Sequence, residues 1–228
     1  MAMSEVNRFE PAISPEIWRL RPDFAALSIV VRGGANAPAA SVAAPIGLSR
    51  SAAWADRHLD EWRAAYRAFG AKPQRTPCSA EALRRRLERD GAPPRVNAIV
   101  DLYNAISLRY AVPVGGEDVA AYVGSPRLVR ASGHELFQTI RDGDAANEPV
   151  EPGEVIWRDD VGVTCRRWNW RQTPRTRLDI GTTEMWFVLE RLDAMPLDAL
   201  MEAGEELVAG VRALSPGATV RTRLMQTP

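Results

Sequence analysis

The segment RVNAIVDLYNAISLRYAVPVGGED, residues 95–118, has the clearest periodic pattern in the chain. Apolar residues recur in it every three or four positions, which predicts a helix with one buried face. Polar residues follow a second face of this helix at i, i+4 and i+7, and these are Asn97, Asp101 and Asn104. Gly115 and Gly116 come after the helix. Glycine allows a backbone to approach a ligand closely, but it also makes plain turns, so both interpretations stay open.

Further helices are predicted on the amino-terminal side of this segment. Residues 14–16 (Ser, Pro, Glu) are typical of a helix start, and residues 26–31 form an apolar run typical of a buried strand. Residues 33–47 are rich in Gly, Ala and Pro and predict a loop. Another helix is predicted from Ser79 to Gly91. Between this loop and Gly70, one more helix is indicated by large residues every four positions: Trp54, His58, Trp62 and Tyr66.

Strands predominate after residue 127. Short β-branched or aromatic runs separated by turns predict strands over four ranges: 128–131, 154–157, 161–168 and 184–189. A helix over 198–214 and a strand over 219–224 complete the pattern. Because helices and strands are grouped, an α+β fold is favoured over an alternating parallel sheet. The length of 228 residues favours one domain covering 1–228.

Composition narrows the classes of function. The chain has 29 basic and 29 acidic residues, so any contact with RNA must rest on a local basic patch. Lys72 is its one lysine, and Cys78 and Cys165 are its two cysteines. So few cysteines favour a reducing cytoplasm, and no apolar run is long enough to predict a membrane span.

Several common catalytic motifs are missing from the sequence. It contains neither a phosphate-binding G-x-x-x-x-G-K-[ST] loop nor a dinucleotide-binding G-x-G-x-x-G motif. His58 and His134 are its two histidines, and neither has the spacing to a Cys, Asp or second His that a zinc site needs. The sequence also contains no G-x-S-x-G elbow to expose a nucleophilic serine. We therefore expect no metal, no cofactor and no covalent nucleophile. His58 is predicted to be a hydrogen-bonded core residue, and His134 to be exposed in a turn.

The motif at residues 95–118 resembles the signature helix and loop of the B3/B4 domain, the editing domain in the β subunit of phenylalanyl-tRNA synthetase. Similarity extends over residues 65–190 and includes the element Pro77-x-Ser79-x-Glu81-x-Leu83, the strand 127–131 and the turn at residues 153–154. The run CRRWNWR, residues 165–171, is similar to the version in short, stand-alone B3/B4 proteins.

The resemblance implies a fold and a function. The fold would be a single α+β domain with helices packed around a β-sandwich-like core. In the synthetase, this domain hydrolyses tyrosine wrongly attached to the phenylalanine tRNA by positioning a water molecule. The expectation is therefore a module directed at tRNA or aminoacyl-tRNA that removes a mischarged amino acid in trans and is not a synthetase. The alternative is a non-catalytic binder of tRNA or of an amino acid.

The resemblance also implies catalytic residues. Tyr103 stands where the family has a Thr, next to Asn104, and Gly115 stands where it has a His. A late-strand Glu would complete the site; Glu184 is assigned here, with Glu190 left as an alternative. Because Tyr adds a ring to the pocket while Gly removes one, we expect an amino acid smaller than tyrosine.

The remaining candidates would bind substrate. Asn97 and Asp101 could orient the amino group, or they could anchor the helix through buried contacts. If the run 165–171 is a strand, Arg167, Asn169 and Arg171 share one face, and Arg166, Trp168 and Trp170 share the other. The tryptophans could then stack on a base or a side chain while Arg167 and Arg171 meet phosphates. The alternative is a tryptophan core face beneath solvated arginines.

Overall fold

The computed structural model describes residues 9–39 and 52–227. Its five helices are α1 (Pro15–Leu20), α2 (Ala55–Ala68), α3 (Ser79–Asp90), α4 (Ala98–Tyr110) and α5 (Leu197–Leu214). The early strands are β1 (Ala12–Ile13), β2 (Ala25–Arg32), β3 (Val114–Asp118), β4 (Arg127–Arg130), β5 (Leu136–Arg141) and β6 (Asp144–Pro149). The later strands are β7 (Val155–Arg158), β8 (Val163–Arg166), β9 (Arg171–Gln172), β10 (Glu184–Arg191) and β11 (Thr219–Met225).

Two sheets organise the fold. The first has the order β11-β2-β10-β3 and is antiparallel throughout, with β2 paired along its whole length to β10. The second has the order β1-β4-β7-β8-β9, in which β1 and β4 are parallel and the other neighbours antiparallel. Strands β5 and β6 form a separate hairpin.

The sheets face each other across an aromatic core. Trp186 of the first sheet meets Trp157 of the second edge to face, with ring centroids 5.1 Å apart. The opposite face of the first sheet is covered by α4 and α5, which pack on residues such as Phe187 and Ile29. Because both faces of this sheet are buried, β2 and β10 are apolar along most of their length and do not alternate.

Helix α2 joins the same core. Trp62 and Tyr66, from its predicted aromatic stripe, are fully buried. The Trp62 ring lies 5.3 Å from that of Trp168, edge to face. This contact holds the turn 167–170, between β8 and β9, against the helix.

The α+β class and the sandwich-like core predicted from the sequence are confirmed. The one predicted strand with the wrong extent is 161–168, because β8 ends at Arg166 and a turn follows. Arg167 and Trp168 have φ of 46° and 67°, values that end a strand. The two-face alternation expected for residues 166–171 is therefore wrong: Trp168 and its neighbour Asn169 are both buried.

The predicted loop over 33–47 is described up to residue 39, and its remainder lies outside the described residues. Within the described ranges, no helix has the length and apolar character needed to cross a membrane.

Candidate functional site

A pocket of about 190 Å³ lies between α4, β3 and the turn 167–170. Residues 95–118 supply two of its walls, since the helix and the following strand both reach it. Six residues expected from the sequence to form the site line this pocket: Tyr103, Asn104, Gly115, Gly116, Trp168 and Trp170.

Two buried carboxylates, Glu117 and Glu190, also line the pocket. Glu117 on β3 pairs with Trp186 on β10, and Glu190 lies four residues further along β10. Side chains at even spacing share one face of a strand, which places both carboxylates on the face that meets the second sheet. Gly115 pairs with Val188 between them and adds no side chain to fill the space.

Glu190 is held by donors from the second sheet and the turn. Its Oε1 accepts from Trp157 Nε1 at 3.1 Å, and its Oε2 accepts from Asn169 Nδ2 at 2.8 Å. Tyr66 of α2 in turn donates to Asn169 Oδ1 at 2.9 Å. Burial raises the pKa of Glu190 to about 7, although these hydrogen bonds act in the opposite direction.

Glu117 has a different partner. Its Oε2 accepts from the Tyr122 hydroxyl at 2.6 Å. Burial raises the pKa of this carboxyl group to about 7 as well, against the hydrogen bonds and the charge of Arg175. Arg175 itself is paired with Asp159 at 2.9 Å and does not line the pocket. The pocket therefore holds two acids that are each partly ionised near neutral pH.

Tyr103 and Gly116 fit each other closely. A Cβ atom on Gly116 would lie 2.7 Å from Tyr103 Cε1 and 3.0 Å from Leu178 Cδ1, too near for real contacts. The ring of Tyr103 also meets that of Phe187 at 6.3 Å. Glycine at 116 is thus what allows a tyrosine on this helix to form one wall of the pocket.

Three other side chains at the pocket, Cys165, Ser79 and Trp168, are candidates for a nucleophile or for a hydrogen-bond donor to a ligand. Cys165 lines it, and burial raises the pKa of this thiol well above its usual value, so it stays protonated. Among the described residues, Ser79 Oγ has no hydrogen-bond partner, and the fully buried Trp168 Nε1 makes no hydrogen bond of good geometry, although Trp168 is near enough to Glu190 to lower the pKa of that carboxyl group. A buried donor of this kind indicates a ligand or water acceptor at the pocket.

The polar stripe of α4 divides between two roles. Asn97 caps the helix, accepting from Val100 N at 2.9 Å and donating to Leu178 O at 3.2 Å. Asp101 pairs with Arg95 at 3.0 Å. Neither residue lines the pocket, and their contacts match the anchoring alternative; Asn104 alone of the stripe reaches the pocket.

The assigned late glutamate, Glu184, lies outside the pocket. It begins β10 and contacts Arg32 at 3.9 Å. Its alternative, Glu190, lines the pocket. The alternation of side chains along the strand could not distinguish the two glutamates, because both lie on the same face of β10. They differ in position along the strand, and Glu190 is the one near the Gly115 end of β3.

Two arginines of the run 165–171 are tied to the β5–β6 hairpin and its surroundings. Arg166 is buried and pairs with Glu154 at 2.8 Å and Glu148 at 3.2 Å. Arg171 donates to Thr139 Oγ1 at 2.6 Å and lies 3.6 Å from Glu148. These contacts hold both side chains against the second sheet and the hairpin, and the phosphate contact predicted for Arg171 stays a prediction.

Arg167 has a different environment. Its guanidinium lies 4.5 Å from the centroid of the Trp170 ring and 3.8 Å from Glu154. It lines a second groove, of about 490 Å³, together with the exposed residues Lys72 and Arg75. Within residues 9–39 and 52–227, neither Lys72 nor Arg75 has a carboxylate in ion-pair range. Glu151 and Glu154 also line the groove, so it carries three basic and two acidic side chains, and the turn separates it from the pocket.

His58 is the hydrogen-bonded core residue that the sequence predicts. Its Nδ1 donates to Ala111 O at 2.8 Å, and its Nε2 accepts from Leu192 N at 3.0 Å. His134 is exposed, as expected. In the part of the chain that the structure describes, no three His, Cys, Asp or Glu side chains come together as a metal site would require.

Comparison with known families supports what the motif at residues 95–118 indicates. Residues 61–197 match the model of the B3/4 domain. The chain belongs to this family. All fifteen residues that line the B3/4 pocket lie within the matched segment, including both glutamates.

A solved structure shares the fold of this B3/4 protein. It is an N-terminal fragment of the phenylalanyl-tRNA synthetase β-subunit from Pyrococcus horikoshii, with a TM-score of 0.51 and 12% identity. The similarity covers 96% of this chain and 54% of that one, so the chain spans about half the length of the fragment. No curated protein matches the chain. The protein is thus a module related in fold to an aminoacyl-tRNA synthetase subunit.

Proposed function

We propose that this B3/4 protein hydrolyses, in trans, the ester bond of a mischarged aminoacyl-tRNA. The observation that carries the proposal is the pocket with two buried carboxylates, Glu117 and Glu190, and aromatic walls. An aminoacyl ester presents an ammonium group to such acids, and it presents a carbonyl to a donor such as Trp168 Nε1, which lies near Glu190 without a hydrogen bond of good geometry.

The chemistry we propose uses water as the nucleophile. Cys165 is held as a thiol, and Ser79 Oγ has no base within hydrogen-bond distance among the described residues. A carboxylate with a pKa of about 7 is matched to general-base catalysis near neutral pH. In this mechanism Glu117 or Glu190 accepts a proton from water as the oxygen attacks the ester carbonyl; the bond from the carbonyl carbon to the ribose oxygen then breaks, and the same carboxylic acid returns the proton to that oxygen. Asn104 and Tyr103 position the aminoacyl group.

The basic groove at Lys72, Arg75 and Arg167 is the surface that we assign to the tRNA backbone. It lies on the other side of the turn from the pocket, so a tRNA end could enter the pocket while a phosphate meets the groove. A neutral protein needs such local charge to bind RNA.

A non-catalytic binder is the second candidate function. Both oxygens of Glu190 already accept hydrogen bonds, and Tyr122 occupies one oxygen of Glu117. A rigid, satisfied pair of acids also suits a site that binds an amino acid without reacting.

A deacylation assay separates the two candidates. We expect the protein to hydrolyse at least one of a panel of mischarged tRNAs, with amino acids smaller than tyrosine preferred. Glu117→Gln should lower kcat/KM by about 10² or more, the usual scale for a lost general acid or base, or should abolish ester binding. Glu184→Gln is the matched control, because Glu184 lies on the same strand as Glu190 but outside the pocket.

The pH dependence provides a second readout. Because the general base must be deprotonated, kcat/KM corrected for buffer hydrolysis should rise with pH and level off above about 7. Ester loss no faster than in buffer for every tRNA tested would favour the binder. Preference for tyrosyl-tRNA would overturn the expectation of a smaller amino acid.

A further inference from the structure

The two carboxylates of the pocket lie at separate positions along the sheet. Glu117 is level with Trp186, and Glu190 comes four residues later, about 13 Å along the strand at the usual rise per residue. The intervening pair, Gly115 and Val188, forms a low floor because Gly115 has no side chain. An extended ligand can therefore lie between the two acids.

The charge of the lining is one-sided. Of the fifteen residues around the pocket, two are acidic and none is lysine or arginine. Arg175, whose positive charge lowers the pKa of Glu117, donates to Asp159 through both of its terminal nitrogens. With a single ligand ammonium, one carboxylate is compensated and the other is neutralised by a proton, as its raised pKa allows; a second ammonium lets both acids be ionised.

The remaining walls suit a cation. Three tryptophans and one tyrosine line the pocket, namely Trp157, Trp168, Trp170 and Tyr103. Aromatic faces attract ammonium groups, the more so where water is excluded. The buried Nε1–H of Trp168, near Glu190, adds a donor for a carbonyl between the two ends.

From these observations, and resting on the proposed function, we infer that the pocket takes an aminoacyl group with two amines: a side-chain primary ammonium at one carboxylate and the α-amino group beside the other, which remains the general base of hydrolysis. The substrate class is a diamino acid with a side chain of the length of ornithine or lysine. Such a chain is thinner than a tyrosine ring, as the wall formed by Tyr103 requires, and it reaches far enough to meet both acids.

The test compares two amides of equal size. Ornithinamide and norleucinamide have the same number of side-chain atoms and differ in the terminal group, an ammonium against a methyl. Their binding to the full chain can be followed by calorimetry or by the fluorescence of the pocket tryptophans. We expect ornithinamide to bind at least about tenfold more tightly, the scale of one charge-assisted hydrogen bond.

Variants assign the effect to the two acids. Glu117→Gln and Glu190→Gln should each reduce the preference for ornithinamide to within about twofold, while Glu184→Gln retains it. Thermal unfolding followed by near-ultraviolet circular dichroism verifies that each variant is folded. Because Glu190 holds Trp157 and Asn169, Glu117→Gln is the decisive variant if Glu190→Gln unfolds.

Equal affinity for the two amides, tighter binding of norleucinamide, or no binding of either would overturn the inference. Hydrolysis of another mischarged tRNA alongside such a result would leave the proposed function standing. Selective binding of ornithinamide with no hydrolysis of ornithyl-tRNA or lysyl-tRNA would support the inference and count against hydrolysis.

Discussion

At the scale of single residues, His58 shows how the core fixes a protonation state. Both ring nitrogens are used, one donating to Ala111 and the other accepting from Leu192 and from Trp62. Burial lowers the pKa of His58 to about 4. The neutral ring is therefore part of the native structure, and a proton at Nε2 would remove an acceptor from two buried donors.

A pH dependence of stability follows from this residue. In the unfolded chain the imidazole titrates near 6.5, so its contribution is present above that pH and is lost as pH falls towards about 4. The full loss, reached below about pH 4, is about 3 kcal/mol of unfolding free energy, and about 2 kcal/mol of it falls between pH 7 and pH 5. Urea unfolding at pH 7 and pH 5 measures it as the difference between the wild type and His58→Gln. Equal pH dependence in both proteins would contradict the assignment.

The buried acids contribute with the opposite sign, which is why the comparison needs the variant. Glu117 and Glu190 have raised pKa values, so their contribution to stability is present at low pH and is lost as pH rises through about 7. A bound cation would offset this cost of ionising the two buried acids.

The pocket residues differ in how visible they are in the sequence. Tyr103 and Asn104 follow from the motif, whereas Glu117 stands in the same segment but was not among the expected site residues. The signal that could have found it is its spacing of two from Gly115, which puts both on one face once β3 is known to be a strand. Strand β3 was not predicted because two of its five residues are glycine, which is depleted in strands.

At the scale of elements, the β5–β6 hairpin shows a second limit of sequence reasoning. Strand β6 is polar, β5 mixes apolar and polar residues without alternating, and both are largely exposed, so neither has the pattern that predicts a strand. The local signal was Asp142-Gly143, whose φ values of 54° and 95° are those of the hairpin turn that this dipeptide favours. The same hairpin supplies Glu148, which pairs with Arg166, and Thr139, which accepts from Arg171. These contacts could not be predicted because the hairpin itself was not predicted.

The turn 167–170 and the groove beside it give a prediction about tRNA binding. Lys72→Ala and Arg167→Ala should each weaken binding and lower the salt slope by about 0.7 to 0.9 per lost phosphate contact. Arg171→Ala should instead lower stability and leave the slope unchanged, since this side chain is engaged by Thr139 and Glu148. Affinity titrations over a range of salt concentrations test the three variants. A reduced slope for Arg171 alone would restore the phosphate role expected for it from the sequence.

At the scale of the whole molecule, the segment that identifies the family is smaller than the unit that folds. Residues 61–197 match the B3/4 model, yet β2 (Ala25–Arg32) is an interior strand of the first sheet and lies outside them. Most of α5 and all of β11 also lie outside. Without β2, the edge of β10 and the apolar residues on both of its faces would be exposed.

A truncated chain of residues 61–197 should therefore fail to unfold cooperatively and should bind a hydrophobic dye. Circular dichroism melts of the truncated and full chains make the comparison. The full chain is the control, and a sharp melting transition in the truncated one would show that the matched segment folds independently. The grouping of helices and strands indicated the fold class correctly, but it could not show which distant strands pair.

The position of β2 also determines the order in which the protein can be built. Its two neighbours, β10 and β11, begin more than 150 residues later in the chain, so this strand leaves the ribosome long before either partner exists. Closing so long a loop is entropically costly, and sheets joined by distant strands fold slowly. During synthesis the apolar strand remains exposed to other nascent chains and to chaperones. The pocket, whose floor is β3 laid against β10, can form only after that late pairing.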